Sequence, residues 1–120
     1  MYLVRDIFDA KPGKAKELVA KFKALEPYMT EMGMKGMRLM TDAVANYWTV
    51  VAESEVESLD AYFDMGQRER SDPRIGEIMA GYMDLVEGGR REVFRIEKGT
   101  SGFASTAGTQ LLVDINRRDP

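Results

Sequence analysis

Tyr2-Leu3-Val4-Arg5-Asp6-Ile7-Phe8-Asp9-Ala10-Lys11-Pro12-Gly13-Lys14 carries an extended run of alternating apolar and polar residues into a Pro-Gly turn and out into a helical pattern. Alternation of period two marks a strand with one buried face, and Pro followed by Gly is turn chemistry. Beyond the turn, Leu18, Phe22, Leu25 and Met29 recur at helical spacing, with Ala15 and Val19 widening the stripe. Pro27 lacks a backbone donor and crowds the preceding turn, so a kink or restart is expected there before Gly33 ends the helix.

Two strands, Met34 to Thr41 and Asn46 to Ser54, read as a hairpin about a short turn from Asp42 to Ala45. Ser58 is an N-cap for a second helix with Leu59, Tyr62 and Phe63 on its buried side. Asp72 caps and Pro73 opens a further segment, whose stripe of Ile75, Ile78, Met79, Tyr82, Leu85 and Val86 runs to Gly88-Gly89. A last strand spans Arg90 to Lys98. The order strand, helix, strand, strand, helix, strand fits an α+β fold of split β-α-β type: a four-stranded antiparallel sheet with helices on one face. Residues 1–98 form this domain. Residues 99–120 are a C-terminal tail, a Gly-, Ser-, Thr- and Ala-rich linker to Gly108 and then Gln110 to Ile115 as a short added strand.

Composition bounds the chemistry. A chain of 120 residues, 44% hydrophobic and 31% charged, suits one globular domain. Its apolar runs are too short to span a bilayer and no leader-type apolar segment opens it, so a cytoplasmic location is expected. The net charge of −3 gives no cationic face for nucleic acid, and Arg90-Arg91 and Arg117-Arg118 are only pairs. Cysteine and histidine are both absent, which closes thiol and histidine nucleophile systems, thiolate or imidazole metal sites and histidine haem ligation. No phosphate-binding glycine loop of standard spacing occurs. No metal site or cofactor is expected. Met29, Met32, Met34, Met37 and Met40 crowd together; thioethers bind copper(I), but adaptable packing is the simpler use for them.

Pleating sorts the strand residues by face. One face collects Val4, Phe8, Met37, Leu39, Trp48, Val50, Ala52, Phe94 and Ile96, the expected helix-covered core, with Asp6 out of pattern. The other collects Leu3, Arg5, Ile7, Met34, Gly36, Arg38, Met40, Tyr47, Thr49, Val51, Glu53, Val93 and Arg95. A monomer would expose this mixed apolar and arginine-bearing surface, and face-to-face dimerisation would bury it.

The Arg5-bearing first strand, the Lys11-Pro12-Gly13-Lys14 turn, the Trp48-containing strand and Gly88-Gly89-Arg90-Arg91-Glu92-Val93-Phe94-Arg95 resemble the dimeric α/β-barrel superfamily. The nearest branch is NIPSNAP-like, alongside antibiotic-biosynthesis-monooxygenase-like members. The resemblance covers roughly residues 1 to 97, one domain in size. It implies a ferredoxin-like βαββαβ unit pairing through its sheet into a homodimeric barrel, with a cavity between sheet and helices that binds small hydrophobic or aromatic molecules. Some members are cofactor-free monooxygenases or cyclases, others handle haem, and many have no known activity. Haem-degrading members use a histidine with an asparagine and a tryptophan; this chain has Asn46 and Trp48 but no histidine, which disfavours that chemistry.

Within this frame the candidate ligand or dimer-face residues are Arg5, Arg38, Tyr47, Thr49, Glu53, Tyr82 and Arg95. The arginines either converge on an anionic or carbonyl-bearing ligand or pair with Glu53, Glu97 and carboxylates of a second chain to set dimer register. Trp48 beside Tyr47 either stacks on an aromatic substrate or fills the core. Tyr62, Tyr82 and Asp84 are acid–base candidates if an apolar cleft displaces their pKa values. No catalytic residue is assigned. The functional expectation is a homodimeric barrel that binds, and oxygenates or isomerises without a cofactor, a small aromatic or apolar molecule. The alternative is a non-enzymatic dimer that binds a ligand or a protein.

Overall fold

The computed structural model describes residues 1–99, so the expected tail from 100 onward lies outside the described residues. The elements are β1 (Tyr2–Ala10), α1 (Ala15–Glu31), β2 (Lys35–Thr41), β3 (Thr49–Val56), α2 (Leu59–Ser71), α3 (Pro73–Met79), a 3-10 turn (Tyr82–Leu85) and β4 (Val86–Arg95). The strands form one sheet in the order β2-β3-β1-β4, with every neighbouring pair antiparallel. This is the expected α+β, ferredoxin-like βαββαβ fold.

Local chemistry explains the element ends. Lys14 N–H donates to the Lys11 carbonyl at 2.9 Å, closing the Pro12-Gly13 turn that launches α1. At the other end of α1, Gly33 has φ 110, Gly33 N–H bonds the Thr30 carbonyl and Met34 N–H bonds the Met29 carbonyl. This is a Schellman stop, in which a left-handed residue satisfies the last carbonyls and brings the next side chain back onto the helix. Met34 is therefore buried with Met29 in the core, and the expected place for it on the open sheet face is corrected. Pro27 does not break α1, which runs continuously from Ala15 to Glu31. Pro27 is exposed, so water can satisfy the carbonyl that its missing N–H leaves free. Ser58 Oγ accepts from Ala61 N–H at 3.1 Å and Asp72 Oδ1 from Arg74 N–H at 2.9 Å, with Pro73 at the first helical position, as the sequence predicts.

Helices and sheet meet in two apolar clusters. Val4, Leu25, Met29, Met34, Val56, Met65 and Ile75 form one, and Ala10, Leu18, Val50 and Leu85 the other, with Phe22 packed against both. Met65 is the residue through which α2 is anchored, whereas Leu59 and Phe63, expected on its buried side, are 40% and 64% exposed. Helical geometry accounts for this: Ala61, Tyr62 and Met65 share the face turned to the sheet.

The third and fourth strands depart from expectation. β3 begins at Thr49, and Trp48, expected in the core, stands 42% exposed at φ 65 just before it. Asp42 ties the two ends of this loop together: its N–H donates to the Thr49 carbonyl and its Oδ1 accepts from Thr49 N–H. The connection is thus longer than the expected hairpin turn. β4 starts at Val86, so Gly88-Gly89 lie inside the strand instead of ending a helix. A Cβ on Gly89 would stand 2.6 Å from the Ile7 carbonyl oxygen, so only glycine permits this close pairing with β1. The register sets Val93 opposite Val4 and Phe94 opposite Leu3. Val93 and Arg95 therefore share the helix side with Val4 and Tyr2, and Phe94 lies on the open face, the reverse of the sequence expectation. A slip of one residue flips every side chain, and two adjacent apolar residues give periodicity nothing to choose between.

Candidate functional site

The open face of the sheet holds one polar cluster. Glu53 on β3 is 4% exposed and accepts from Arg5 Nε of β1 at 2.6 Å and from Arg38 Nη2 of β2 at 2.7 Å. Burial pushes its carboxyl up, but the hydrogen bonds and charges of the two arginines outweigh this and hold it below the ordinary carboxylate value. The Arg5 guanidinium also lies 5.5 Å from the centre of the Phe94 ring and 3.9 Å from Glu92. Apolar Leu3, Ile7, Met40, Val51 and Phe94 surround this network on the same face, as the strand register requires.

The other predicted residues do not join it. Arg95, on the opposite face, lies over the Tyr2 ring at 5.9 Å. Tyr47 is 86% exposed in the β2–β3 loop. Thr49 closes that loop, its Oγ1 donating to the Asn46 carbonyl at 2.7 Å. Tyr82 lies on the far side of the sheet, in the wall of a cleft.

That cleft, about 970 Å³ in volume, runs between the sheet and the helices. Its apolar wall comes from Val4 and Phe8 of β1, Val19, Phe22 and Met29 of α1, Met37 and Leu39 of β2, and Met79 and Tyr82. Phe8 and Phe22 face each other with ring centres 5.2 Å apart. Gly66 on α2 removes a side chain from the wall, and the exposed Phe63 stands at its rim. The grouped methionines divide between this wall, the core and the opposite face, where Met40 is 38% exposed; the packing role accounts for them.

One end of the cleft is polar. Arg91 of β4 grips Asp6 with two hydrogen bonds, Nε to Oδ1 at 2.5 Å and Nη2 to Oδ2 at 3.2 Å, and its Nη1 donates to Tyr62 Oη of α2 at 2.6 Å. The bond to Asp6 raises the Arg91 pKa above its already high ordinary value, so the guanidinium is permanently charged. Glu69, two turns beyond Tyr62 on the same helix face, also lines the cleft. Burial pushes its carboxyl up, partly offset by the Arg91 charge and reinforced by that of Asp6. Asp84, an acid–base candidate from the sequence, is exposed and is absent from this wall.

Asp6 and Arg91 were not among the predicted site residues. The signal for Asp6 was present, since it is the one charged side chain on the buried side of β1; its partner, 85 residues away, carried none. Among the described residues no group of three or more acidic side chains is placed to hold a metal ion, and no helix is long and apolar enough to cross a membrane.

No family model and no curated protein matches the chain. Solved structures do. A NIPSNAP domain protein from Burkholderia xenovorans superposes with a TM-score of 0.69 at 12% identity, over 80% of this chain and 94% of that one. A NIPSNAP family protein from Agrobacterium tumefaciens gives 0.69 at 14%, over 85% and 97%. This chain shares their fold. An antibiotic biosynthesis monooxygenase-like protein from Chloroflexus aurantiacus gives 0.67 at 15% identity, over 84% and 97%. The NIPSNAP-like and monooxygenase-like resemblance drawn from the sequence is thus matched by structures of both kinds, at the level of the ferredoxin-like fold.

Proposed function

We propose that the chain is a homodimeric small-molecule-binding protein whose ligand occupies the cleft between sheet and helices. The observation that carries this reading is the cleft itself: about 970 Å³, walled by apolar and aromatic side chains, with polar groups converging at one end. Ligand sites have this character, a mostly apolar hollow with a few placed polar groups. A reaction in it would draw on tyrosines, carboxylates and arginine, which suits a cofactor-independent isomerisation or oxygenation of an aromatic or apolar substrate. The fold shared with a monooxygenase-like protein is consistent with this.

Self-association uses the opposite face. Support comes from its mixture of Leu3, Ile7, Val51, Met40 and Phe94 around the Arg5–Glu53–Arg38 network, a composition typical of the core of an interface. Native mass spectrometry of freshly purified full-length protein tests both parts at once. A dimer mass carrying a small molecule is expected; a monomer over the micromolar range would overturn the dimer, and persistently ligand-free protein that binds no apolar compound would overturn the cleft reading. A ligand retained without turnover would select the non-enzymatic alternative.

A further inference from the structure

We infer that the cleft takes a neutral, largely apolar molecule bearing a carbonyl oxygen, which accepts a hydrogen bond from Tyr62 Oη, with Asp6 and Arg91 as positioning residues. This rests on the reading of the cleft as a ligand site and adds the chemistry of the ligand.

Three observations carry it. The first is the direction of the phenol. Tyr62 Oη accepts from Arg91 Nη1 at 2.6 Å, so its own proton is turned away from the guanidinium. Among the described residues that proton finds no acceptor, on a side chain that lines the cleft. A donor held in place, with only solvent to donate to in the open cleft, suits an acceptor oxygen on a ligand that displaces that water. The second is how the donor is fixed. Asp6 clamps Arg91 through two parallel bonds, and Arg91 in turn holds the phenol oxygen, so a charged pair on β1 and β4 sets the position of a hydroxyl on α2. A hydroxyl that accepts from a cation is also the stronger donor.

The third is charge. On the helix side of the sheet the cleft wall carries three carboxylates (Asp6, Glu26 and Glu69) and three cations (Lys23, Arg70 and Arg91), so no cationic excess is available for an anion. Arg91, the cation beside Tyr62, is already neutralised by Asp6. The Glu69 side chain nearby makes no hydrogen bond or ion pair among the described residues: ionised, it repels an anion, and protonated, it offers a second donor. Ionised Glu69 thus disfavours a carboxylate or phosphate ligand, and protonated Glu69 suits a carbonyl oxygen as well. The remaining wall, with Phe8 and Phe22 stacked obliquely, takes an aromatic or alicyclic body.

The test uses three naphthalene probes with the full-length protein. These are a dialkylaminonaphthyl ethyl ketone, whose emission moves to the red when its carbonyl accepts a hydrogen bond, the anion anilinonaphthalene sulfonate, and methylnaphthalene, which has no polar group. The ketone is expected to bind with red-shifted emission and more tightly than the sulfonate. Tyr62→Phe should weaken the ketone roughly tenfold, the loss of one hydrogen bond, and move its emission to the blue, with methylnaphthalene unaffected. Asp6→Asn should produce the same blue shift, again with methylnaphthalene unaffected, as a positioning role demands. Ketone binding and emission indifferent to Tyr62→Phe would overturn the inference while leaving the cleft as a ligand site. Tighter binding of the sulfonate than of the ketone would also overturn it. Failure of all three probes would overturn the ligand site itself.

Discussion

Replacing Glu53 by alanine takes away the acceptor that holds Arg5 and Arg38 together across three strands. The carboxylate is 4% exposed, while the side chains of Arg5 and Arg38 are 35% and 68% exposed. A charge-assisted hydrogen bond is worth about 1.5–3 kcal/mol when desolvated and an exposed ion pair only about 0–1. Partial exposure puts the Arg5 bond at the lower end of the first range and the Arg38 bond in the second. Together they amount to about 2 kcal/mol, or a fall in Tm of roughly 8 °C for a domain of this size. Circular-dichroism melts of wild type, Glu53→Ala and Glu53→Gln at about pH 7 measure it.

The pH dependence supplies an independent check. The folded-state pKa of Glu53 lies below its ordinary value of 4.5, so the unfolded chain binds the proton more readily. The contribution is complete above pH 4.5 and is lost as the pH falls through the folded value. The gap in Tm between wild type and Glu53→Gln should therefore close on acidification. A fall of less than about 2 °C near neutrality, or a gap unchanged by acid, would refute the account of this network. If the face is also the dimer interface, the variant's Tm will drop further on dilution, because unfolding then includes dissociation.

Gly89→Ala should destabilise by about 1–3 kcal/mol, because the added methyl collides with the Ile7 carbonyl oxygen, and hydrogen exchange of β4 amides should accelerate selectively. Met65→Ala removes the anchor of α2 and should cost about 2–5 kcal/mol in denaturant unfolding; a cost near zero would mean that α2 is not packed through this residue. Ser58→Ala loses the cap on Ala61 N–H and should cost about 1 kcal/mol, with Ser58→Asp restoring it.

The features that could be read in the sequence are those decided within a few residues. Ser58, Asp72-Pro73 and Gly33 mark helix ends because a cap or a stop is completed by backbone groups close by in the chain. Leu18, Phe22, Leu25 and Met29 mark the buried stripe of α1 because helical spacing fixes which side chains share a face. What failed depends on contacts that spacing does not encode. Gly89 reads as a breaker, yet it is required by the approach of β1. Trp48 reads as core by alternation, but the strand starts one residue later and leaves it at positive φ. On β4 the same one-residue ambiguity moved Arg95 away from Arg5 and brought Phe94 beneath it.

Asp6 shows why a candidate site can be half legible. Alternation along β1 puts a carboxylate on the side that must be covered by helices, and a lone carboxylate there is costly unless it is paired. That conflict could be seen in the first strand, but its resolution could not. It required β4 to run in a register that places Arg91 directly opposite Asp6, and α2 to bring Tyr62 over the same point. The close β1–β4 pairing at Gly89, two residues before Arg91, belongs to this register, in which Phe8 faces Gly89. The glycine expected at a helix end thus sits in the same pairing that sets the arginine against the carboxylate. Shifting β4 by one residue would send Arg91 to the open face and set either Arg90 or Glu92 opposite Asp6, so the Arg91 bridge from Asp6 to Tyr62 and the alignment of the sheet stand or fall together.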